Sequence, residues 1–439
     1  MKGEREMTNR SGSRSRTRAW WARVGVGSAL AVTVLACAVD AGAATRPASS
    51  RPAARGHAAT GKPIVVGYVN DDTGAVGAFP ETTAGTEAAV KYVNAQLDGI
   101  HNRPIELVPC SDDATPAQAG SCATRVLQHN PVAILGGVDF ATTASIPLFQ
   151  KAGVPYIGGL AFTGPENTDP TSFQWNSITA NFSVMPFYGV RYLHAKRISI
   201  LYPAGVGTDL SLAQLMAGVA ENVGLKKSDV TLVSYDATSP DMTAPIEAAN
   251  KTSPSMIIGI TSGPQCVTLA QARQELAVKA TLFLPGGCFG KQLNAQAGSA
   301  YNGVYGGQAT AVPGSPQLAN KPAMKLFYKI LQAYSPKTLS SPLISFAFFG
   351  YGDVINFRNV LMKLNPADIT SQTIIAAFRH TVNQSNVLGP SFSCAHPPIS
   401  QVRSLCTVAS GMYVIRNGQS VYLGAYNPGP YIKHVPGIS

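Results

Sequence analysis

Charged residues are scarce in this chain. Asp, Glu, Lys and Arg make up 13% of its 439 residues, while the hydrophobic types make up 45%. A chain of this composition can bury a sizeable core, so a highly charged disordered protein is excluded. Its length exceeds that of one ordinary domain, and we expect a globular protein of two lobes.

The sequence also lacks the short motifs that mark many catalytic and metal sites. It has no G-x-S-x-G elbow, no H-E-x-x-H pair, no Walker loop and no complete G-x-G-x-x-G. Neither C-x-x-C nor H-x-x-x-H spacing occurs, and the seven His are scattered. We therefore expect no metal, no cofactor and no enzyme activity, with a secreted enzyme as the less favoured alternative.

The positive charge is concentrated near the beginning of the chain. The net charge is +11, and seven of these charges lie in residues 1–61. The remaining residues therefore carry only a small excess, which does not indicate a nucleic-acid surface. We expect no nucleic-acid partner.

Residues 1–37 have the pattern of a secretory signal. A basic stretch ends at Arg23, and the apolar run that follows to Ala36 is too short to span a bilayer. Cleavage after Ala43 and lipidation at Cys37, in the lipobox-like V-L-A-C, are both open. Residues 38–61 are rich in Ala, Pro, Ser, Gly and Arg and predict a flexible tether. The pattern predicts a secreted protein held at the outer face of a membrane by a lipid anchor.

The seven cysteines include one outlier, Cys37. The other six form three local couples in a chain with a secretion signal, where disulfides are permitted: Cys110 and Cys122, Cys266 and Cys288, Cys394 and Cys406. Six cysteines allow fifteen connectivities, so the spacing alone leaves the pairing open.

Beyond Pro63, short apolar runs alternate with segments of helical length. This alternation indicates βαβ units and parallel sheets. The predicted strands are 64–69, 105–108, 132–135, 198–202, 230–233, 256–260 and 281–284; the later predicted helices are 321–334, 342–364 and 370–380. Asn417-Gly418 predicts a hairpin. The alternation breaks between residues 162 and 197, and we place the first crossing between lobes near 183–190.

Ligands of such sheets bind at the carboxyl ends of the strands. The loops expected there are 71–79, 136–143, 158–166, 203–209, 261–265 and 285–289. Asp71 and Asp72 are expected to form a solvated turn, and Asp112 and Asp113 a turn or helix cap.

Several segments, taken in order, carry a resemblance to a known family. They are IVVGYVNDDTG, AAVKYVNAQLDGIHNRPIELVPCSDDATPAQA, VAILGG, GVPYIG, ISILYP, TAPIEAANKTSPSMIIGI, GVYGG and FAFFGYGDVINFRNVL. Together they resemble type I periplasmic binding proteins, and within these the leucine/isoleucine/valine-binding branch.

The resemblance implies an α/β fold of two doubly wound parallel-sheet lobes joined by three crossings. We assign residues 62–185 and 309–390 to the first lobe, and 186–308 and 391–439 to the second. The implied function is an extracytoplasmic, monomeric receptor that closes on a small molecule and presents it to an ABC permease. A sensor of the same fold is the alternative. Together with proximity, the resemblance favours sequential pairing of the six cysteines.

The resemblance also implies where the ligand binds. Thr163 matches a family hydroxyl that holds the ligand carboxylate, Thr142 or Thr143 can assist, and Asp139 stands where Ser is common. The second lobe has no acid for an ammonium group, so an ordinary amino acid is not expected unless Asp139 supplies the charge. Cleft-facing Phe residues suggest an apolar or aromatic acid or amide. The predicted ligand-binding residues are Phe79, Asp139, Phe140, Thr142, Thr143, Phe162, Thr163, Val206, Thr261, Ser262 and Gly287.

Overall fold

The computed structural model describes residues 56–74, 77–205, 207–387 and 389–437. The predicted signal segment, Cys37, most of the predicted tether and Val206 lie outside these ranges. Among the described residues, no helix combines the length and the apolar character that a membrane span needs.

The first lobe is built on a parallel sheet of five strands. In spatial order these are β2, β1, β3, β4 and β5. Their bounds are β1 Ile64–Asn70, β2 Ile105–Ser111, β3 Ala133–Gly136, β4 Tyr156–Gly158 and β5 Ser172–Phe173. The central strands β3 and β4 are buried at every position, as expected for apolar strands covered on both faces.

The second lobe is built on a mixed sheet of seven strands, in the order β12, β11, β10, β9, β8, β6 and β7. Their bounds are β6 Ile198–Pro203, β7 Val230–Tyr235, β8 Met256–Gly259, β9 Thr281–Pro285, β10 Tyr305–Gln308, β11 Ser410–Arg416 and β12 Gln419–Tyr426. The predicted hairpin joins β11 to β12. Asn417 and Gly418 both have positive φ, which fits the tight turn that this dipeptide favours.

Helices cover the sheets. Their bounds are α1 Pro80–Gln96, α2 Pro116–Leu127, α3 Thr142–Lys151, α4 Gly164–Thr168, α5 Ile178–Tyr192, α6 Gly207–Val223, α7 Thr243–Asn250, α8 Pro264–Glu275, α9 Lys291–Ala297, α10 Pro316–Ala319, α11 Pro322–Tyr334, α12 Ile344–Leu361 and α13 Ser371–Arg379. All seven predicted strands, the hairpin and the three later helices are therefore confirmed.

The stretch in which the sequence pattern breaks contains helix α5. Pro186 lies inside this helix, and a proline at an interior position is a strong signal against helix. The helix forms because most of its residues are buried, and it packs on α6 and on strands of the second sheet. The lobe boundary placed at 185 falls inside α5.

The chain passes between the lobes three times, after β5, after β10 and after α13. The long helix α12 returns to the first lobe and packs along α1. The two helices approach closely because glycines lie at their contact. A Cβ added to Gly85 would lie 2.0 Å from the carbonyl oxygen of Ala347, and one added to Gly350 would lie 2.2 Å from that of Thr82.

The six cysteines are paired sequentially, as predicted. The bridges are Cys110–Cys122, Cys266–Cys288 and Cys394–Cys406, with Cα–Cα distances of 5.6, 5.6 and 4.1 Å. Each bridge is local in sequence. The first joins β2 to α2, the second joins α8 to the segment after β9, and the third closes a loop between α13 and β11.

Candidate ligand site between the lobes

A cavity of about 360 Å³ lies where the carboxyl ends of the first-lobe strands face α5 and α6. Residues of both lobes line it: Phe140, Thr143, Phe162, Thr163, Gly164, Asn167, Ile178, Thr179, Ser211, Leu212, Leu215, Val435, Pro436 and Gly437. The position agrees with the rule that ligands of doubly wound sheets bind beyond the carboxyl ends of the strands.

A row of phenylalanines runs from this cavity along the first lobe. The ring centroids of Phe162 and Phe140 are 4.5 Å apart, those of Phe140 and Phe79 6.0 Å, and those of Phe79 and Phe346 4.7 Å. Phe349 extends the row beyond Phe346 at 5.8 Å. These distances are typical of aromatic side chains in contact, so the row forms one continuous apolar surface.

Buried carboxylates hold the two phenylalanines that line the cavity. The backbone N–H of Phe140 donates to Asp71 Oδ2 at 2.9 Å, and the N–H of Phe162 donates to Glu166 Oε2 at 2.8 Å. Glu166 also accepts from Thr163 N–H in a capping box that opens α4. Burial raises the pKa of Glu166 to about 7.

Hydroxyl groups supply the polar end of the cavity. The side chains of Thr142 and Thr163 are hydrogen bonded to each other, although both are buried. Thr143, one residue further along α3, is exposed and lines the cavity. A ligand carboxylate or amide placed here meets donors from two loops.

The structure brings together some of the predicted ligand residues and separates others. Phe140, Thr143, Phe162 and Thr163 line the cavity, Thr142 is bonded to Thr163, and Phe79 continues the aromatic row. Gly287, from the second lobe, lies beside Phe346: a Cβ added to it would be 3.6 Å from that ring. Thr261 and Ser262 follow β8 and do not line the cavity; the Thr261 hydroxyl donates to Gln265 within its own lobe.

Two parts of the site were missed by sequence reasoning. Phe346 lies at the start of α12, far along the chain from the other phenylalanines. Residues 435–437 also form a wall of the cavity. The side chain of Gln401 holds both backbone groups of Val435, accepting from its N–H and donating to its carbonyl oxygen. No local sequence pattern indicates either placement, because both depend on where distant segments pack.

Three carboxyl groups lie together beneath the cavity. The side chains of Asp71, Asp112 and Asp139 are completely buried. One carboxylate oxygen from each lies within 4.8 Å of the other two. The expectation of a solvated turn at Asp71 was therefore wrong. Burial raises the pKa of Asp71 to about 8, of Asp139 to about 8 and of Asp112 to about 6, and the neighbouring carboxyls contribute.

Asp139 faces this cluster. Its Oδ1 accepts from Ala141 N–H at 2.7 Å, while its Oδ2 is buried without a hydrogen-bond partner. A buried carboxyl in this position does not lie in the cavity, so a ligand ammonium would reach it only after the loop after β3 rearranges.

A larger depression, of about 550 Å³, lies at the opposite edge of the second sheet. His194, Lys196, Arg197 and Ser255 line it, and they precede the strands of that sheet. Its position at the amino ends of the strands makes it the weaker candidate for the solute site, despite its size.

Two α/β lobes with a cavity between their strand ends define a bilobal solute-binding protein. The family model of the periplasmic binding proteins matches residues 63–408, and the chain belongs to this family. No curated protein sequence matches the chain at significant similarity.

Solved structures agree on the fold. A fatty acid ABC transporter substrate-binding protein from Thermomonospora curvata has a TM-score of 0.68 at 22% identity, covering 87% of this chain and 97% of its own. A leucine-binding protein from Thermotoga maritima has 0.66 at 16%, covering 84% and 99%. A solute-binding protein from Rhodopseudomonas palustris, solved with 3,4-dihydroxybenzoic acid, has 0.65 at 16%, covering 85% and 99%. At these identities the likeness establishes the fold alone and leaves the ligand open.

Proposed function

We propose that this protein is the extracytoplasmic solute-binding component of an ABC importer, and that its solute is a carboxylic acid or amide with an apolar or aromatic body. The solute binds in the interlobe cavity and is presented to a membrane permease. The proposal follows the family of the chain, whose structural neighbours include a fatty acid transporter substrate-binding protein and a solute-binding protein solved with 3,4-dihydroxybenzoic acid.

The observation that carries the ligand class is the aromatic row that ends in the cavity beside paired hydroxyls. Phe140 and Phe162 supply apolar contact, and Thr143 and Thr163 supply donors and acceptors at one end. Asn167, Thr179 and Ser211 also line the cavity. The cavity therefore combines apolar walls with several polar side chains, which suits a ligand with an apolar body that carries a carboxyl or amide group.

An α-amino acid fits the cavity less well. Among the described residues, no acidic side chain lines it. A buried ammonium without a counter-charge costs several kcal/mol. The alternative in which Asp139 supplies this charge requires its carboxyl to leave Ala141 N–H and the buried cluster.

A thermal-shift screen of the purified protein tests the ligand class, because a solute that binds only the native state raises the unfolding temperature. The panel contains fatty acids of several lengths, aromatic acids, their amides, and leucine, isoleucine and valine. Stabilisation by apolar acids or amides supports the proposal. Stabilisation by the amino acids alone contradicts it, and in that case Asp139→Ala shows whether Asp139 pairs with the ammonium.

Two variants connect any stabilising solute with the cavity. Phe140→Ala removes a ring that lines it, and we expect solute affinity to fall by roughly 10-fold to 100-fold. Tyr192→Ala removes an exposed ring at the end of α5, outside the cavity, and serves as the matched control. Equal affinities of the two variants would place the solute elsewhere.

A sensor that signals to a membrane partner is the second candidate for the same fold. A solute that binds tightly but is not taken up by cells expressing the protein with its neighbouring permease would favour the sensor.

We further propose secretion as a monomer through the 1–37 segment, with a lipid anchor at Cys37. Metabolic labelling with a fatty acid, lost in Cys37→Ser, tests the anchor against cleavage after Ala43.

A further inference from the structure

The strand order of the first lobe places three acidic residues at one point. Asp71 directly follows β1 and Asp112 directly follows β2, while Asp139 lies three residues beyond β3. Because β1 lies between β2 and β3 in a parallel sheet, their carboxyl ends meet at one edge. All three side chains are fully buried there.

No basic group of the described chain neutralises these carboxyls. The one ion pair found among the described residues is Lys91–Glu87, on the surface. A fourth buried acid, Glu166, is close enough for its charge to act on Asp139. Buried like charges oppose one another's ionisation, so the cluster requires either shared protons or a cation.

Unpartnered polar atoms at the same place point to a missing ligand. Asp112 Oδ2 and Asp139 Oδ2 are buried and have no hydrogen-bond partner. The hydroxyl of Tyr156, which is not part of the cluster, is also buried and unpartnered. It lies over Gly136 at the end of β3, and the charges of Asp139 and Asp112 act on it. Buried polar groups are almost always satisfied, so several orphans together mark a site for an ion and its water.

We propose that Asp71, Asp112 and Asp139 bind a calcium ion beneath the solute cavity. The ligand set contains only oxygen, which selects hard cations. One oxygen of each of the three carboxyls lies within 4.8 Å of the others, so a calcium ion, which binds oxygens at about 2.3–2.6 Å, can contact all three. Calcium tolerates irregular coordination, whereas magnesium demands near-ideal octahedral geometry and keeps several waters, so a buried set of protein carboxyls favours calcium.

The ion would act on the cavity through the loop after β3. Asp71 already holds Phe140 by its backbone N–H, and Asp139 precedes Phe140 in the chain. Neutralising their charges fixes this loop and with it one wall of the cavity. The site itself does not depend on which solute the protein binds.

Calorimetric titration of Ca²⁺ into EDTA-treated protein at pH 7.5 tests the proposal. We expect one Ca²⁺ per chain, a higher unfolding temperature, and a smaller effect of Mg²⁺ at the same concentration. Asp112→Asn should lower Ca²⁺ affinity by at least about 100-fold, since losing even an outer partner of a metal site costs roughly 10-fold to 100-fold. Asp368→Asn makes the same chemical change at an exposed position and should bind like the wild type.

The metal-free proteins give a second readout. Without Ca²⁺, Asp112→Asn relieves repulsion, so it should be at least as stable as the wild type while losing the stabilisation by Ca²⁺. If this variant does not fold, the wild type decides. An absence of Ca²⁺ binding in the titration, together with an unchanged unfolding temperature in Ca²⁺, overturns the proposal.

Discussion

Asp353 of α12 connects three parts of the fold, and Gly158 leaves the space that it occupies. The carboxylate is buried and accepts hydrogen bonds from Gly159 N–H and from Trp175 Nε1–H, each at 2.7 Å. Gly158 ends β4 with φ +73°, and a Cβ added there would lie 2.6 Å from Asp353 Cγ. Gly158→Ala should therefore displace the carboxylate.

The cost can be worked from these contacts. A left-handed φ costs a non-glycine residue about 1–2 kcal/mol. Displacing the carboxyl leaves two buried donors poorly partnered, and each such donor costs about 1–3 kcal/mol. Partial relaxation leaves an expected loss of about 3–5 kcal/mol for Gly158→Ala. Asp353→Ala should cost a similar amount, because it leaves the same two donors unpaired.

The double variant distinguishes this mechanism from general strain. Removing the Asp353 side chain makes room for the new methyl group. The stability lost in the double variant should therefore be about 2 kcal/mol smaller than the sum of the losses in the two single variants. Gly303→Ala is the matched control, since Gly303 has φ +76° and no atom within 4 Å of an added Cβ. Urea unfolding followed by circular dichroism and by Trp175, the only tryptophan after residue 61, measures each variant. Additive losses, or a loss in Gly158→Ala no larger than in Gly303→Ala, would refute the reasoning.

Three further predictions follow from other contacts. Burial raises the pKa of Asp353 well above its usual value, so the native state holds the proton more strongly than the unfolded state does. The free energy of unfolding of the wild type, relative to that of Asp353→Asn, should therefore decline as pH rises above about 4. A relative free energy that grows with pH in urea unfolding would show that folding lowers this pKa. Replacing Cys394 and Cys406 by Ser opens a 12-residue loop and should lower the free energy of unfolding by about 3 kcal/mol; an unchanged urea midpoint contradicts this. Gln401→Ala frees the backbone of Val435. The dissociation rate of a bound solute, measured by stopped flow, should then rise roughly 10-fold, the equivalent of one hydrogen bond. An unchanged rate would mean that residues 435–437 do not retain the solute.

Features that depend on short stretches of sequence were predictable. The seven predicted strands follow from β-branched apolar runs, and the hairpin follows from Asn417-Gly418. Helix α2 begins at a local start signal, with Thr115 as the cap that accepts from Gln118 N–H and Pro116 directly after it. The cysteine couples are separated by only 12 or 22 residues, so proximity and the resemblance sufficed to pair them.

Features that depend on which segments become neighbours were decided by the tertiary structure. Helix α5 forms despite Pro186 because the second sheet buries it. Phe346 joins Phe79 only because α12 packs along α1. Asp71 reads in sequence as part of a polar turn, and it becomes a buried partner of Asp112 and Asp139 because the order β2, β1, β3 brings three strand ends together. Local sequence therefore determined the elements and their caps, while the arrangement of the strands and helices determined the cavity and the environment of its charges.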